Sequence, residues 1–217
     1  MQVITIANQK GGVGKTTIAT NFACMSSSSK YNKKTILIDA DIQESSMKFR
    51  AIRPDTASQF QSVSIKTPTI HKDINGFTAD VIFIDVGGSD SKVFRSALSA
   101  ANVIIIPLLP SQYDLWSSED TFNVIEEIKT YKNDLKVGAI LNQVIAGTTI
   151  SKEVQAVMDE FIEKYKLKMF KNMLYSRVAY KESVSEGLAV TEIFNNPKYE
   201  KAKNEMIMLY KEVMEWA

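Results

Sequence analysis

Lys10-Gly11-Gly12-Val13-Gly14-Lys15-Thr16-Thr17 gathers two ammonium groups, three glycines and two hydroxyls into eight consecutive residues. A glycine-rich turn lets successive backbone N–H groups converge on an anion, and a helix beginning just after it adds partial positive charge. A lysine at the end of such a turn reaches the β- and γ-phosphates of a nucleotide, and the next hydroxyl can ligate Mg²⁺. Gly11, Gly12, Val13, Gly14, Lys15, Thr16 and Thr17 are therefore candidate phosphate-binding residues, with Thr16 also a metal ligand. The usual spacing, G-x-x-x-x-G-K-[ST], places a glycine five positions before Gly14; here that position is Gln9, and Lys10 follows it. The motif is a variant carrying two lysines.

Three further candidates are aspartates at the ends of apolar runs. Thr35-Ile36-Leu37-Ile38 leads into Asp39-Ala40-Asp41, and Val81-Ile82-Phe83-Ile84 leads into Asp85. Continuous apolar runs suit parallel strands covered on both faces, and ligands in such sheets gather at the carboxyl ends of the strands. Asp85 can then hold Mg²⁺ through water, and Gly87, two residues on, allows a backbone N–H to approach the terminal phosphate. Asp39 and Asp41 suit Mg²⁺ or water handling. The competing use of a strand-end aspartate is to cap the helix expected over residues 44–52.

The elements that must position these groups follow from the same pattern. A strand over roughly residues 2–7 enters the glycine turn, and a helix leaves it, reaching about Met25. Polar residues 26–34 read as a surface loop. Ser62–Ile65 is an expected short strand, and Asp73-Ile74-Asn75-Gly76 an expected turn, with His71 on the surface beside it. Asn102–Pro107 and Lys136–Asn142 are further buried strands. A long helix is expected from Asp114 to about Tyr131, and an amphipathic one from Ser151 to Lys164. Residues 164–169 alternate lysine with apolar residues, as a half-buried strand would. The last helix runs from Pro197 to Trp216, with proline in its first turn.

At 217 residues, 45% apolar and a net charge of +1, the chain suits one α/β domain and has no global pull toward nucleic acid or membrane. A single cysteine, Cys24, excludes a disulfide framework and a CxxC pair. No signal-peptide pattern or membrane-length apolar run occurs, so a cytoplasmic protein is expected.

Taken together, the two-lysine turn and the aspartates resemble the deviant Walker A ATPases of the ParA/MinD family, within the SIMIBI class of P-loop proteins. In length and layout the chain is most similar to the small ParA proteins of plasmid partition, which implies a single domain over 1–217 with no N-terminal DNA-reading domain. The resemblance implies a doubly wound, mostly parallel sheet and Mg²⁺-dependent ATP hydrolysis. It also implies an ATP-bound homodimer in which Lys10 contacts the nucleotide of the other subunit. Lys10, Lys15 and Asp41 would then be catalytic, Asp41 positioning water, with Thr16, Asp39 and Asp85 serving the metal. The segment Asp39-Ala40-Asp41-Ile42-Gln43 matches the family's D-x-D-P-Q except for Ile42 in place of proline. Gly87 falls in the family's switch II loop, and Pro107–Ser111 is similar to its P-x-x-P-S segment near the dimer face. By position Asn142 would bond the adenine base, although an asparagine at a strand end also serves as a turn former.

Between Lys164 and Lys181 lie six basic residues and no acid, with tyrosines and a phenylalanine interleaved. Such a stripe can track phosphates. ParA-type relatives bind non-specific DNA through this part of the chain, which makes Arg177, Lys181 and Lys171 the candidate DNA contacts. The implied function is DNA partition in the nucleoid, with a centromere-binding, ParB-type adaptor stimulating hydrolysis. The alternative is a MinD-like membrane-associated ATPase for division-site or cell-pole positioning. Its membrane helix needs cations beside an apolar face, whereas Glu205, Lys211, Glu212 and Glu215 leave the last helix net acidic. No membrane contact is expected. An Fe–S-carrying relative is disfavoured because the cysteines it needs are absent, and a ligase-type metabolic one because such relatives generally lack the first lysine.

Overall fold

In the computed structural model, which describes residues 1–217, the apolar runs form strands buried along almost their whole length. These are β1 (Gln2–Ile6), β2 (Thr35–Ala40), β4 (Val81–Val86), β5 (Val103–Leu108) and β6 (Lys136–Leu141). Two short edge strands, β3 (Gln61–Ser64) and β7 (Lys168–Met169), complete a seven-stranded sheet ordered β3-β2-β4-β1-β5-β6-β7. Every pairing is parallel. Because side chains alternate along each strand, the sheet splits its apolar residues between two cores. Ile36, Ile38, Ile82, Ile84, Ile104 and Ile106 face one side. Leu37, Val81, Phe83, Val103 and Ile105 face the other.

Helices cover both faces. α4 (Lys92–Ala100), α6 (Glu119–Lys129) and α7 (Lys152–Tyr165) close the first core. α1 (Lys15–Ser27) and α9 (Glu200–Trp216) close the second. The apolar face of α9 is spent on that core: Met206, Leu209, Tyr210 and Val213 are buried, and the Tyr210 ring lies 5.3 Å from Phe22. The shorter helices α2 (Ser45–Ala51), α3 (Ile70–Asp73), α5 (Gln112–Trp116) and α8 (Val178–Ser185) sit between strands or beside the cleft described below. No helix is long and apolar enough to cross a membrane.

Two expectations are corrected. The helix expected from Asp114 to Tyr131 is two helices, α5 and α6, broken at Ser117-Ser118. Ser118 is fully buried and serves polar groups rather than the helix, accepting from Asn8 Nδ2 (3.0 Å) and donating to the Asp114 carbonyl (3.0 Å). The alternating strand at 164–169 is cut to two residues: α7 continues to Tyr165, Lys166 turns through the left-handed region (φ 52°), and only Lys168 and Met169 pair with β6.

Candidate functional site

β1 and β4 are neighbours at the middle of the sheet, with Ile6 level with Asp85. The chain leaving β1 is held from below. Asn8 Oδ1 accepts from Lys10 N (2.9 Å), Asn8 Nδ2 donates to the Pro107 carbonyl (2.9 Å), and Gln9 N donates to Thr121 Oγ1 (2.8 Å). Gly12 and Gly14 then take left-handed φ values of 76° and 93°. A Cβ on Gly14 would lie 2.2 Å from Asn142 Nδ2, so glycine is required there by conformation and by space. No backbone N–H of residues 11–14 donates within the chain. α1 begins directly after Gly14 with no side-chain cap, leaving its first-turn N–H groups free. Free N–H groups, turned by glycines and backed by a helix N-terminus, make an anion cradle.

Gly11, Gly12, Gly14, Lys15, Thr16 and Thr17 line a cleft of about 870 Å³ together with Asp41 and Gly87. Val13 lies beneath, fully buried, and contributes its backbone. Lys15 Nζ donates to the Lys10 carbonyl (2.9 Å), which folds the side chain back over the loop. Burial lowers the pKa of this ammonium, against the opposing pull of Asp85 and Asp41.

Asp85 is fully buried at the end of β4, and neither carboxylate oxygen has a hydrogen-bond partner. Burial raises its pKa to about 7; Thr16 and Lys15 pull it back, and the charges of Asp39 and Asp41 add to the rise. An unpartnered buried carboxylate is unstable unless a cation reaches it. With Thr16 beside it and a phosphate cradle above, this donor set fits a hard divalent cation that keeps water and phosphate oxygens as its other ligands. No group of three or more His, Cys, Asp or Glu forms an all-protein metal cage.

Asp39, level with Asp85 on β2, is a different case. Its Oδ2 accepts from Ser46 Oγ (2.7 Å) and Met47 N (3.0 Å), and its Oδ1 from Asp41 N (3.0 Å) and Lys66 Nζ (3.0 Å). Four donors leave nothing over for a metal shell. Asp39 instead does the capping work, at the N-terminus of α2. Asp41, by contrast, uses one oxygen on Gln43 N (3.0 Å) and faces Gly87, where an added Cβ would lie 3.3 Å from its Oδ1.

Lys10 turns away from its own cleft and pairs with Asp114 at 2.6 Å, both side chains partly exposed. The helix break at Ser117-Ser118 confines α5 to a short segment that presents Asp114 here. Exposed Tyr113 and Trp116 stand on either side of Asp114 in the chain, their rings 5.7 Å apart.

Asn142 is buried and donates through Nδ2 to the Val13 carbonyl (2.6 Å); its amide braces the phosphate loop from the end of β6 and does not line the cleft. Gln143, which the sequence did not single out, donates to the Gly12 carbonyl (2.6 Å) and does line it. Lys66 is a second cleft residue missed from sequence, because it stands outside any recognisable motif.

The basic stripe is dispersed by the fold. Arg177 is held against Glu205 by both Nε and Nη2. Lys181 lies at the rim of the nucleotide-sized cleft. Lys171 is exposed and free of ion pairs, although Glu212 accepts from its backbone N–H (2.8 Å). Lys164 pairs with Glu119.

Residues 4–190 match the family model described as CobQ/CobB/MinD/ParA nucleotide binding domain. A Halothiobacillus neapolitanus protein, maintenance of carboxysome distribution protein A, is 26% identical over 88% of this chain and 87% of its own length. The Bacillus subtilis sporulation initiation inhibitor protein Soj is 24% identical over 86% and 88%. Among solved structures, an aspartate-to-alanine variant of Cyanothece McdA in complex with ATP aligns with a TM-score of 0.77 at 16% identity, over 98% of this chain and 96% of that one. MinD from Pyrococcus furiosus aligns at 0.72 and 16% identity, over 100% and 99%. The chain belongs to the CobQ/CobB/MinD/ParA nucleotide-binding family, and its fold is that of the ParA/MinD P-loop ATPases.

Proposed function

We propose that the protein is an ATP-switched dimeric ATPase of DNA partition, binding non-specific DNA in its ATP state and stimulated by a separate centromere-binding adaptor. The observation that carries this reading is the position of Lys10. One lysine of the motif, Lys15, belongs to its own phosphate cleft; the other is held at the surface on Asp114. A motif cation presented outward from the phosphate loop, not toward its own cleft, suits two copies facing each other with each Lys10 reaching the opposite nucleotide. ATP would then stabilise the dimer, because each site is complete only when both are filled.

Within each cleft, the N–H groups of the glycine turn and Lys15 hold the β- and γ-phosphates, as in other phosphate cradles. Thr16 and Asp85 would hold Mg²⁺, which would supply positive charge against the transferring phosphoryl group. Asp41, whose Oδ1 takes Gln43 N and faces Gly87 while its Oδ2 is left without a partner, orients the attacking water. Catalysis is thus positioning plus charge stabilisation.

For DNA, the cations without carboxylate partners are the ones available to phosphates. Lys171 is such a cation; Lys181 is unpaired but sits at the cleft rim, and Arg177 must first leave Glu205. The relative named for carboxysome distribution supports a positioning role, which in this reading is carried out on the nucleoid in the cytoplasm. The membrane alternative draws no support from α9, whose apolar face is spent on the core.

The test is co-sedimentation with non-specific duplex DNA in ATP, ADP or no nucleotide, with anionic liposomes in parallel. Salt-sensitive binding that needs ATP, disappears in Lys15→Ala and weakens in Lys171→Ala is expected. Binding to liposomes and not to DNA overturns the proposal.

A further inference from the structure

Lys66 follows β3 at the edge of the sheet, where β3 pairs with β2 and Ile65 N donates to the Asp39 carbonyl (3.0 Å). Its ammonium crosses to the end of the neighbouring strand. Nζ donates to the Asp39 carbonyl (3.2 Å), to Asp39 Oδ1 (3.0 Å) and to the Asp41 carbonyl. An ammonium has three donors; all three are spent on residues 39 and 41. Glu44, at 3.9 Å, adds a second negative charge.

We propose that Lys66 is a positioning residue for ATP hydrolysis, clamping the loop after β2 so that Asp41 stays aimed at the phosphate end of the cleft. The inference rests on the ATPase reading of this site given above. Its argument is mechanical. The fully buried Asp39 carboxylate ties the two ends of the loop together, taking Asp41 N on one oxygen and Ser46 Oγ and Met47 N on the other. A buried carboxylate holds such a bundle only when a cation balances it, and Lys66 is the cation in contact with it. By taking the Asp41 carbonyl as well, the same ammonium fixes the backbone that carries the Asp41 side chain.

The loop has local ties, Glu44 N donating to the Asp41 carbonyl (3.1 Å) and Gln43 N to Asp41 Oδ1 (3.0 Å), but none of them holds Ile42. Ile42 is 90% exposed and its N–H donates to no group of the chain. Proline at this position, as in the motif that the segment resembles, would fix φ and narrow the backbone of Asp41 as well. Lys66 supplies through a tertiary contact the stiffness that Ile42 does not supply covalently. It lines the cleft, yet its donors are committed to the loop and not to an incoming phosphate.

The experiment is single-turnover ATP hydrolysis by the full chain with Mg²⁺, alongside nucleotide affinity and melting temperature. Wild type is compared with Lys66→Met, Lys66→Arg, Ile42→Pro and the Lys66→Met/Ile42→Pro double variant. Displacing a water-orienting group by a fraction of an ångström to one ångström costs up to about 100-fold in rate. Lys66→Met is expected to lower the rate about tenfold or more, with ATP affinity within about twofold of wild type. Ile42→Pro is expected to restore a large part of that rate in the Lys66→Met background, and Lys66→Arg to keep more activity than Lys66→Met. A purely structural role would lower the melting temperature and leave the rate per folded molecule unchanged, which overturns the proposal. Lost ATP affinity at an unchanged rate also overturns it, since Lys66 would then be a phosphate ligand. A wild-type protein without ATP turnover removes the ATPase reading itself, whereas wild-type turnover indifferent to Lys66 removes only this inference.

Discussion

Asp85→Asn is expected to make the metal-free protein more stable, and only in one range of pH. The folded-state carboxyl titrates at about 7, against an ordinary value of 3.8, because burial disfavours its charge. Between those values the folded chain keeps a proton that the unfolded chain has lost. Stability is therefore greatest below the unfolded value, falls as pH rises, and levels off above about 7. At ~1.4 kcal/mol per pH unit, the full cost above that point is roughly 4 kcal/mol. An asparagine carries no such cost. It also removes a counter-charge from the buried Lys15, which still has Asp41, so a net gain of roughly 2–3 kcal/mol at pH 8 is the working figure. Near pH 4 the gain should vanish. The assay is urea denaturation of wild type and Asp85→Asn at steps from pH 4 to pH 8, in chelator and without nucleotide. Added Mg²⁺ and ATP should then raise the midpoint of wild type and leave the variant little changed, since a ligand stabilises only the form that binds it. A stability difference that stays constant across the range, or a variant weaker than wild type at pH 8, would refute the reasoning.

Asn142→Ala should weaken ATP and GTP by a similar factor, about tenfold for one lost hydrogen bond under the loop; titration with both nucleotides checks it, because a base-reading asparagine would instead change their ratio. Arg53→Met should cost about 3–5 kcal/mol in urea denaturation: the guanidinium is fully buried against Glu192, Ser58 and the Gly187 carbonyl, and its loss strands a partly buried carboxylate. Arg177→Ala should lower stability by roughly 1–2 kcal/mol through the loss of its Glu205 pair, while DNA affinity falls less than in Lys171→Ala; melting curves and gel shifts on the same samples separate the two effects.

The phosphate cradle was legible because its requirement is local. Backbone N–H groups must turn inward over four residues, and only a close run of glycines between a strand and a helix does that, so the composition of residues 10–17 carries the geometry. Asp85 was legible for a related reason: four apolar residues define a covered strand, and the parallel topology puts its end at the ligand edge. Asp39 shows where local reading stops. Both uses of a strand-end aspartate were open in the sequence, and the choice between them depends on Ser46, Met47 and Lys66 arriving at its two oxygens. Lys66 is 27 residues away in the chain, in a stretch with no periodicity to announce it.

The same limit explains the basic stripe. Six cations with no acid among them over residues 164–181 suggested a continuous surface, yet a cation paired with a carboxylate must give up that partner before it meets a phosphate. Glu205 and Glu119 lie far from Arg177 and Lys164 in sequence and reach them only once α9 and α6 dock on their cores. Lys10 stands at the opposite extreme. Its partner Asp114 is a single carboxylate, partly exposed, on a helix that ends at Trp116, so exchanging it for a stronger anion costs little local structure. A triphosphate carries more charge than one carboxylate, and Coulomb attraction at the same distance favours it. The motif lysine held at the surface is thus held by a contact weak enough to be traded, whereas Arg177 and Arg53 are held by contacts that stabilise the fold.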